Sequence, residues 1–231
     1  MKSPTPFSLV FLAGGTGMRM GSAVPKQYLL LHHKPLALYS FEVFTSMPEV
    51  KEVVVVCEKQ YAFLFFPYQE AKGIKLLFAS PGPRRQDSVL NGIQSLKGNP
   101  LVCIHDSARP LIEMKMIRSA VEAAESWGAA AIGVKVKATI KVCNDAQIVV
   151  ETPLRGALWE VQTPQVIRLD LLKEGFQYAQ EHRLIVTDDT SLVELLGKPV
   201  KIIEGSYANI KVTTPEDLMC IEKLLEQHVL L

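Results

Sequence analysis

Short apolar runs alternate with helix-like stretches along most of this chain. Runs at residues 8–12, 53–57, 74–79, 101–105, 129–136 and 200–204 have the length of strands. Val53-Val54-Val55-Val56-Cys57 is typical of a strand covered on both faces. Residues 36–45, 87–96, 114–127, 169–181, 189–196 and 215–225 read as helices between them. Gly128 closes the third, and Thr214 with Pro215 opens the last. This alternation predicts an α/β fold, with a mostly parallel sheet and helices on both faces.

The rhythm breaks after Val136. Residues 139–142 and 147–150 flank the turn-like Cys143-Asn144-Asp145-Ala146, which predicts an inserted β-hairpin, a natural arm for dimer contacts. The α/β pattern then resumes without repeat or linker, so one domain over residues 1–231 with an arm at about 137–156 is expected.

Composition narrows the function classes. With 231 residues, 48% hydrophobic and 21% charged, the chain can bury a sizeable core. A net charge of +1 argues against a nucleic-acid surface but leaves room for one phosphorylated ligand held by local cations. No apolar run approaches the roughly 20 residues needed to cross a bilayer. Too few residues precede the first strand for a signal peptide. Cys57, Cys103, Cys143 and Cys220 form no CxxC pair, which argues against zinc and for a cytoplasmic location.

The strongest local signal follows the first strand: Leu12-Ala13-Gly14-Gly15-Thr16-Gly17-Met18-Arg19-Met20-Gly21, then Pro25-Lys26-Gln27-Tyr28. Beyond the carboxyl end of a strand, glycines let backbone N–H groups approach phosphate oxygens. Arg19 and Lys26 add two cations, which suits a triphosphate. No Gly-Lys-Ser/Thr follows, so this is not a Walker A loop. Met20 occupies the third glycine position of a dinucleotide fingerprint, which argues against that class despite Glu58 at the end of the second strand.

Further segments follow in order: Arg85-Gln86-Asp87-Ser88-Val89, His105-Asp106-Ser107-Ala108-Arg109-Pro110, Leu158 to Gln165, Thr187-Asp188-Asp189 and Asn209-Ile210-Lys211-Val212-Thr213. As an ordered set they resemble the 2-C-methyl-D-erythritol 4-phosphate cytidylyltransferases of the non-mevalonate isoprenoid pathway. The resemblance implies a Rossmann-like nucleotidyltransferase fold, a homodimer built through the arm, and a divalent cation, usually magnesium, held by CTP phosphates and water. It implies transfer of CMP from CTP to a small polyol phosphate. Ala13, Gly14, Gly15, Thr16, Gly17, Gly82 and Ser88 would bind the nucleotide, and Arg19 and Lys26 the triphosphate. Asp106, Thr139, Arg155, Thr163, Thr187 and Lys211 would surround the acceptor, Thr139 and Arg155 reaching over from the partner. Arg19, Lys26, Asp106 and Lys211 would carry the chemistry. Two positions depart from the family pattern: Pro83 stands where an acidic residue is common, and Ala138 where Asp is common.

Several of these residues also have plainer readings. Asp106 fits a turn or capping aspartate as well as a carboxylate that orients Lys211, acceptor hydroxyls or the metal shell. His105 reads as a hydrogen-bonded scaffold group, Arg109 as a structural ion pair, the 187–189 segment as a helix cap, Trp159 as core, and His32-His33 as a solvent-facing turn. Two rival functions remain: a cytidylyltransferase acting on ribitol 5-phosphate, and a silent nucleotide-binding protein on the same fold.

Overall fold

The computed structural model describes residues 5–15, 24–72 and 74–229. The chain begins with β1 (Phe7–Leu12) and, after the glycine loop, a tight hairpin of β2 (Leu30–Leu31) and β3 (Lys34–Pro35). His32 and His33 form its exposed turn at positive φ, 46° and 65°, as expected of a solvent-facing pair. Then come α1 (Leu36–Thr45), β4 (Val50–Val56), α2 (Phe66–Lys72), β5 (Lys75–Ala79), α3 (Arg85–Gln94), β6 (Leu101–Asp106), α4 (Met114–Trp127) and β7 (Ala129–Lys135). A two-stranded arm, β8 (Val142–Cys143) and β9 (Val149–Glu151), precedes β10 (Trp159–Arg168), α5 (Leu169–Glu181), α6 (Ser191–Glu194), β11 (Lys201–Glu204) and α7 (Pro215–Val229).

Seven strands make one sheet in the order β11-β7-β10-β6-β1-β4-β5. β1 pairs in parallel with β4 and β6, β4 with β5, and β11 with β7. β10 runs antiparallel between β6 and β7.

Strand alternation sends side chains into two separate cores. Leu9, Phe11, Val53, Val55 and Cys103 pack with Phe41, Phe44, Ile117 and Ala120 of α1 and α4. Their neighbours Val10, Val54, Val56, Val102 and Ile104 pack with Val89, Ile93, Leu172 and Leu192 of α3, α5 and α6. Both faces are therefore covered, which explains the unbroken valine run. A smaller cluster of Leu31, Leu36, Val212 and Ile221 docks α7 beside the first hairpin. Gly128 ends α4 at φ 88°, a conformation that favours glycine. Thr214 and Asp217 cap α7 reciprocally: the Asp217 amide donates to Thr214 Oγ1 (3.4 Å) and the Thr214 amide to Asp217 Oδ2 (2.9 Å).

Several expectations need correction. β10 was absent from the periodicity, because Glu160, Gln162, Thr163 and Gln165 break any apolar pattern; Pro164 falls where its register shifts between Val161 and Gln165. The helix expected over 189–196 is only Ser191–Glu194. α3 starts two residues early, with Asp87 accepting from the Arg84 amide (3.1 Å) to cap it. The arm's turn is Asn144 to Gln147, with Gln147 at φ 60° and Asn144 Oδ1 accepting from the amides of Ala146 (3.1 Å) and Ile148 (3.0 Å). Trp159 is half-buried under the Lys135 ammonium, 4.2 Å from its ring, not in the core.

Candidate active site

A cleft of about 420 Å3 opens beyond the carboxyl ends of β1 and β6, lined by Gly14, Gly15, Lys26, Gly82, Pro83, Arg85, Ser88, Asp106 and Lys211 among others. It is the place where an open α/β sheet binds its ligands. Of the expected nucleotide and triphosphate residues, Thr16, Gly17 and Arg19 lie outside the described residues.

The described part of the glycine loop is tightly fixed. The Ala13 amide donates to the Val56 carbonyl (2.8 Å). Gln27, buried under the loop, donates from Nε2 to the carbonyls of Ala13 and Gly15, both at 2.8 Å. The Tyr28 hydroxyl donates to the same Ala13 carbonyl (2.8 Å), its ring stacked on Tyr61. With these carbonyls turned back into the protein, the loop can present its N–H groups to an anion. Gly14 has no room for a side chain: a Cβ there would sit 2.3 Å from Pro81 Cγ. Gly82 likewise presses on Asp87, with 2.4 Å from a virtual Cβ to Asp87 Cβ, and its amide donates to Ser88 Oγ (3.0 Å). The Ser88 hydroxyl thus holds the 80–84 turn that forms the opposite wall.

Asp106 ends β6 and is buried; its carboxylate caps no helix but faces two cations, and only its backbone carbonyl serves the turn that follows, accepting from the Arg109 amide (2.9 Å). Lys211 Nζ donates to Asp106 Oδ2 (2.6 Å) and Arg85 Nε to Oδ1 (3.0 Å). Burial alone would raise the Asp106 carboxyl, but Arg85 and Lys211 outweigh it and hold it well below the ordinary carboxylate range. Arg85 also donates from Nη1 and Nη2 to the two oxygens of Asp189, each at 2.8 Å. Burial pushes the Asp189 carboxyl up, with Asp106 and Asp188 adding to the push and Arg85 opposing it. The Lys211 segment is tied down by the Val212 amide, which donates to the Ala108 carbonyl (2.8 Å).

A second layer supports Asp106. Its amide donates to Thr163 Oγ1 (3.1 Å), and the Thr163 hydroxyl reaches His105 Nδ1 (3.3 Å). His105 Nε2 faces the Arg109 carbonyl (3.1 Å), which only accepts, so Nε2 carries the hydrogen and Nδ1 accepts from threonine. Burial lowers the His105 pKa to about 3, so the ring is a neutral scaffold group, as its sequence position implies. Thr163, expected at the acceptor, is buried in this layer with its hydroxyl already engaged. Arg109 was expected in an ion pair; its Nη1 instead donates to the Asn209 carbonyl (2.7 Å).

The remaining expected acceptor residues do not line this cleft. Thr139 and Arg155 lie on the exposed arm, where Arg155 Nη1 donates to the Lys137 carbonyl (3.1 Å). Thr187 is exposed; the capping role in its segment falls to Asp188, whose Oδ1 accepts from the Ser191 amide (3.0 Å). Gln27, Arg85 and Gln165 had no assigned role from sequence, although all three stood in recognised motifs. Among the described residues no cluster of three or more His, Cys, Asp or Glu side chains is placed to hold a metal. Both Asp106 oxygens already face cations, so the protein's own donor set does not suit a divalent ion.

A protein-family model described as 2-C-methyl-D-erythritol 4-phosphate cytidylyltransferase matches residues 7–227. The chloroplastic 2-C-methyl-D-erythritol 4-phosphate cytidylyltransferase of Oryza sativa subsp. japonica is 51% identical over 221 residues, 95% of this chain and 74% of its own. The Geobacillus thermodenitrificans 2-C-methyl-D-erythritol 4-phosphate cytidylyltransferase is 40% identical over 227 residues, 96% of this chain and 98% of its own. Among solved structures, the Thermus thermophilus enzyme of that name superposes with a TM-score of 0.78 at 30% identity, covering 96% of this chain and 100% of that one. The 4-diphosphocytidyl-2C-methyl-D-erythritol synthase of Anaerococcus prevotii shares the fold, with a TM-score of 0.85 at 24% identity over 97% of this chain and 100% of that one.

Proposed function

This chain belongs to the 2-C-methyl-D-erythritol 4-phosphate cytidylyltransferase family, and from that premise we propose how its cleft performs the reaction. It is a nucleotidyltransferase that moves CMP from CTP to 2-C-methyl-D-erythritol 4-phosphate in the non-mevalonate route to isoprenoid precursors. An oxygen of the acceptor phosphate attacks the α-phosphorus of CTP. A new O–P bond forms, the bond to the β-phosphate oxygen breaks, and pyrophosphate leaves with that electron pair. The attacking phosphate is already anionic, so the site needs alignment and positive charge more than a base.

The observation that carries this reading is the Asp106–Lys211 pair at 2.6 Å, in the cleft that Lys26 and the glycine loop also line. Lys26 and Arg19 hold the triphosphate, the N–H groups of the glycine loop cradle it, and Gly82 with its turn faces the base. Lys211, oriented by Asp106, meets the charge that grows on the α-phosphate oxygens as the bonds exchange. A divalent ion, magnesium by family resemblance, would supply charge neutralisation on the phosphates and would be held by CTP and water, since the described side chains of the cleft offer it no cluster of ligands. Thr139 and Arg155 of a partner's arm complete the acceptor side of the site in a homodimer. The exposed apolar side chains of the arm, Ile148, Val149 and Val150, favour such a contact. No helix among the described residues is long and apolar enough to cross a membrane; a cytoplasmic location remains part of the proposal.

Pyrophosphate release tests the assignment. With CTP the protein is expected to turn over 2-C-methyl-D-erythritol 4-phosphate and to leave ribitol 5-phosphate nearly untouched. Equal kcat/KM for both acceptors would overturn the acceptor assignment, and no release with either would favour a silent nucleotide-binding protein.

A further inference from the structure

Arg85 has no part in the roles assigned above, yet it is the joint of the cleft's buried charges. Three of its five N–H groups are spent inside the protein, one on Asp106 and two on Asp189. Asp189 is itself anchored to the sheet. Gln165 of β10 accepts at Oε1 from the amides of Asp189 (2.8 Å) and Thr190 (3.0 Å), and donates from Nε2 to Asp188 Oδ2 (2.9 Å). A continuous series of contacts thus runs from β10 through Asp189 and Arg85 to Asp106 and Lys211. Each Asp106 oxygen has its own cation, so turning the carboxylate would break one contact or the other.

We propose that Arg85, held by Asp189, is a positioning residue for cytidylyl transfer: it locks the Asp106 carboxylate in the orientation that keeps the Lys211 ammonium in the cleft. The inference rests on the roles given to Asp106 and Lys211 under the proposed function. The planar guanidinium can serve both carboxylates at once because its Nε edge and its Nη edge point in different directions. A lysine supplies the charge but not the two-sided geometry.

The charges around the pair determine the effect of losing Arg85. Asp106 faces Lys211 and Arg109 as cations, Asp189 as an anion, and neutral His105; Asp189 faces Asp106 and Asp188. Without Arg85 two buried carboxylates share the remaining cations, and both are driven toward the protonated form. A protonated Asp106 no longer holds Lys211.

The test compares R85Q, R85K, the double variant R85Q/D189N and the control D106N by steady-state kinetics from acid to alkaline pH, with melting curves. The double variant removes the carboxylate that R85Q would strand. It is expected to melt near the wild type, with KM for CTP changed less than about threefold and kcat lowered on the order of 10- to 100-fold, the usual penalty for a misplaced catalytic group. R85Q is expected to move the acid limb of the kcat profile upward relative to the wild type. R85K is expected to leave that limb in place while recovering only part of kcat. The acceptor phosphate titrates identically in all variants, so only the differences count. Near-normal kcat and pH profile in R85Q/D189N would overturn the inference and leave Arg85 as a neutraliser of Asp189. Should the glutamine variants not fold, full kcat in R85K would overturn it, and reduced kcat at unchanged KM would support it. Near-normal kcat in D106N would instead refute the underlying role of Asp106.

Discussion

Replacing Lys211 by alanine removes the ammonium 2.6 Å from Asp106 Oδ2 and leaves Arg85 Nε on the other oxygen at 3.0 Å. Stranding one partner of a buried ion pair costs about 3–5 kcal/mol. Here the Lys211 side chain is 35% exposed and Asp106 keeps Arg85, so solvent screening and the second cation bring the expected cost to about 1–2 kcal/mol. At about 2–4 °C per kcal/mol for a chain of this size, Tm should fall by roughly 2–8 °C. The catalytic loss should be larger. A donor aimed at charge that develops in the transition state is typically worth about 100- to 1000-fold in kcat. Initial rates of pyrophosphate release at saturating CTP and acceptor, measured well below Tm, separate the two effects. A folded Lys211→Ala protein with kcat within about threefold of the wild type would refute the place given to Lys211, and with it the reading of Asp106 as its orienting carboxylate.

Stability should also fall with pH through His105. The buried ring has its pKa lowered from 6.5 to about 3, so the unfolded chain binds a proton first, and the contribution of neutral His105 is complete above pH 6.5 and lost as pH drops below it. Between pH 7.5 and 5.5 that amounts to about 1.4 kcal/mol, read as the change in urea midpoint that His105→Asn abolishes; an unchanged slope in the variant would count against it. Gly14→Ala forces a methyl to within 2.3 Å of Pro81 Cγ, and should cost about 1–3 kcal/mol while raising KM for CTP far more than KM for the acceptor; equal effects on both would remove Gly14 from the nucleotide side. Finally, an equal mixture of inactive Lys26→Ala and Arg155→Ala proteins, unfolded and refolded together, should regain about one quarter of wild-type activity, since half the dimers are mixed and each carries one intact site. No recovery, with subunit exchange verified by mass, would place Arg155 in its own chain's site.

The apolar runs made most of the sheet legible, because β1, β4, β6 and β7 are buried on both faces and, apart from Ser8, Glu52, His105 and Asp106, bury only apolar residues. β10 escaped for the opposite reason. Gln162, Thr163 and Gln165 are among its most buried residues, at 3%, 4% and 2% exposure, and a run of polar residues reads by default as solvent-facing. What keeps them inside is a set of partners far along the chain: Asn209 and Ser206 for Gln162, His105 and the Asp106 amide for Thr163, and the 188–190 segment for Gln165. Local periodicity carries no trace of such partners, since a buried polar group is admitted by hydrogen bonds and not by its position in a repeat. The same limit separates the two kinds of site residue. The order of motifs singled out Lys26, Asp106 and Lys211 because each stands in a segment of the ordered set that carries the family resemblance and has a charge suited to phosphate chemistry. Arg85 stood in such a segment too, but its contacts lie 21 residues away at Asp106 and 104 residues away at Asp189. It acquires a function only when the fold brings two acidic strand- and loop-ends to the first turn of α3. A residue that touches the ligand advertises itself through its chemistry, whereas one that holds such a residue in place is defined by geometry, and only the folded chain supplies that.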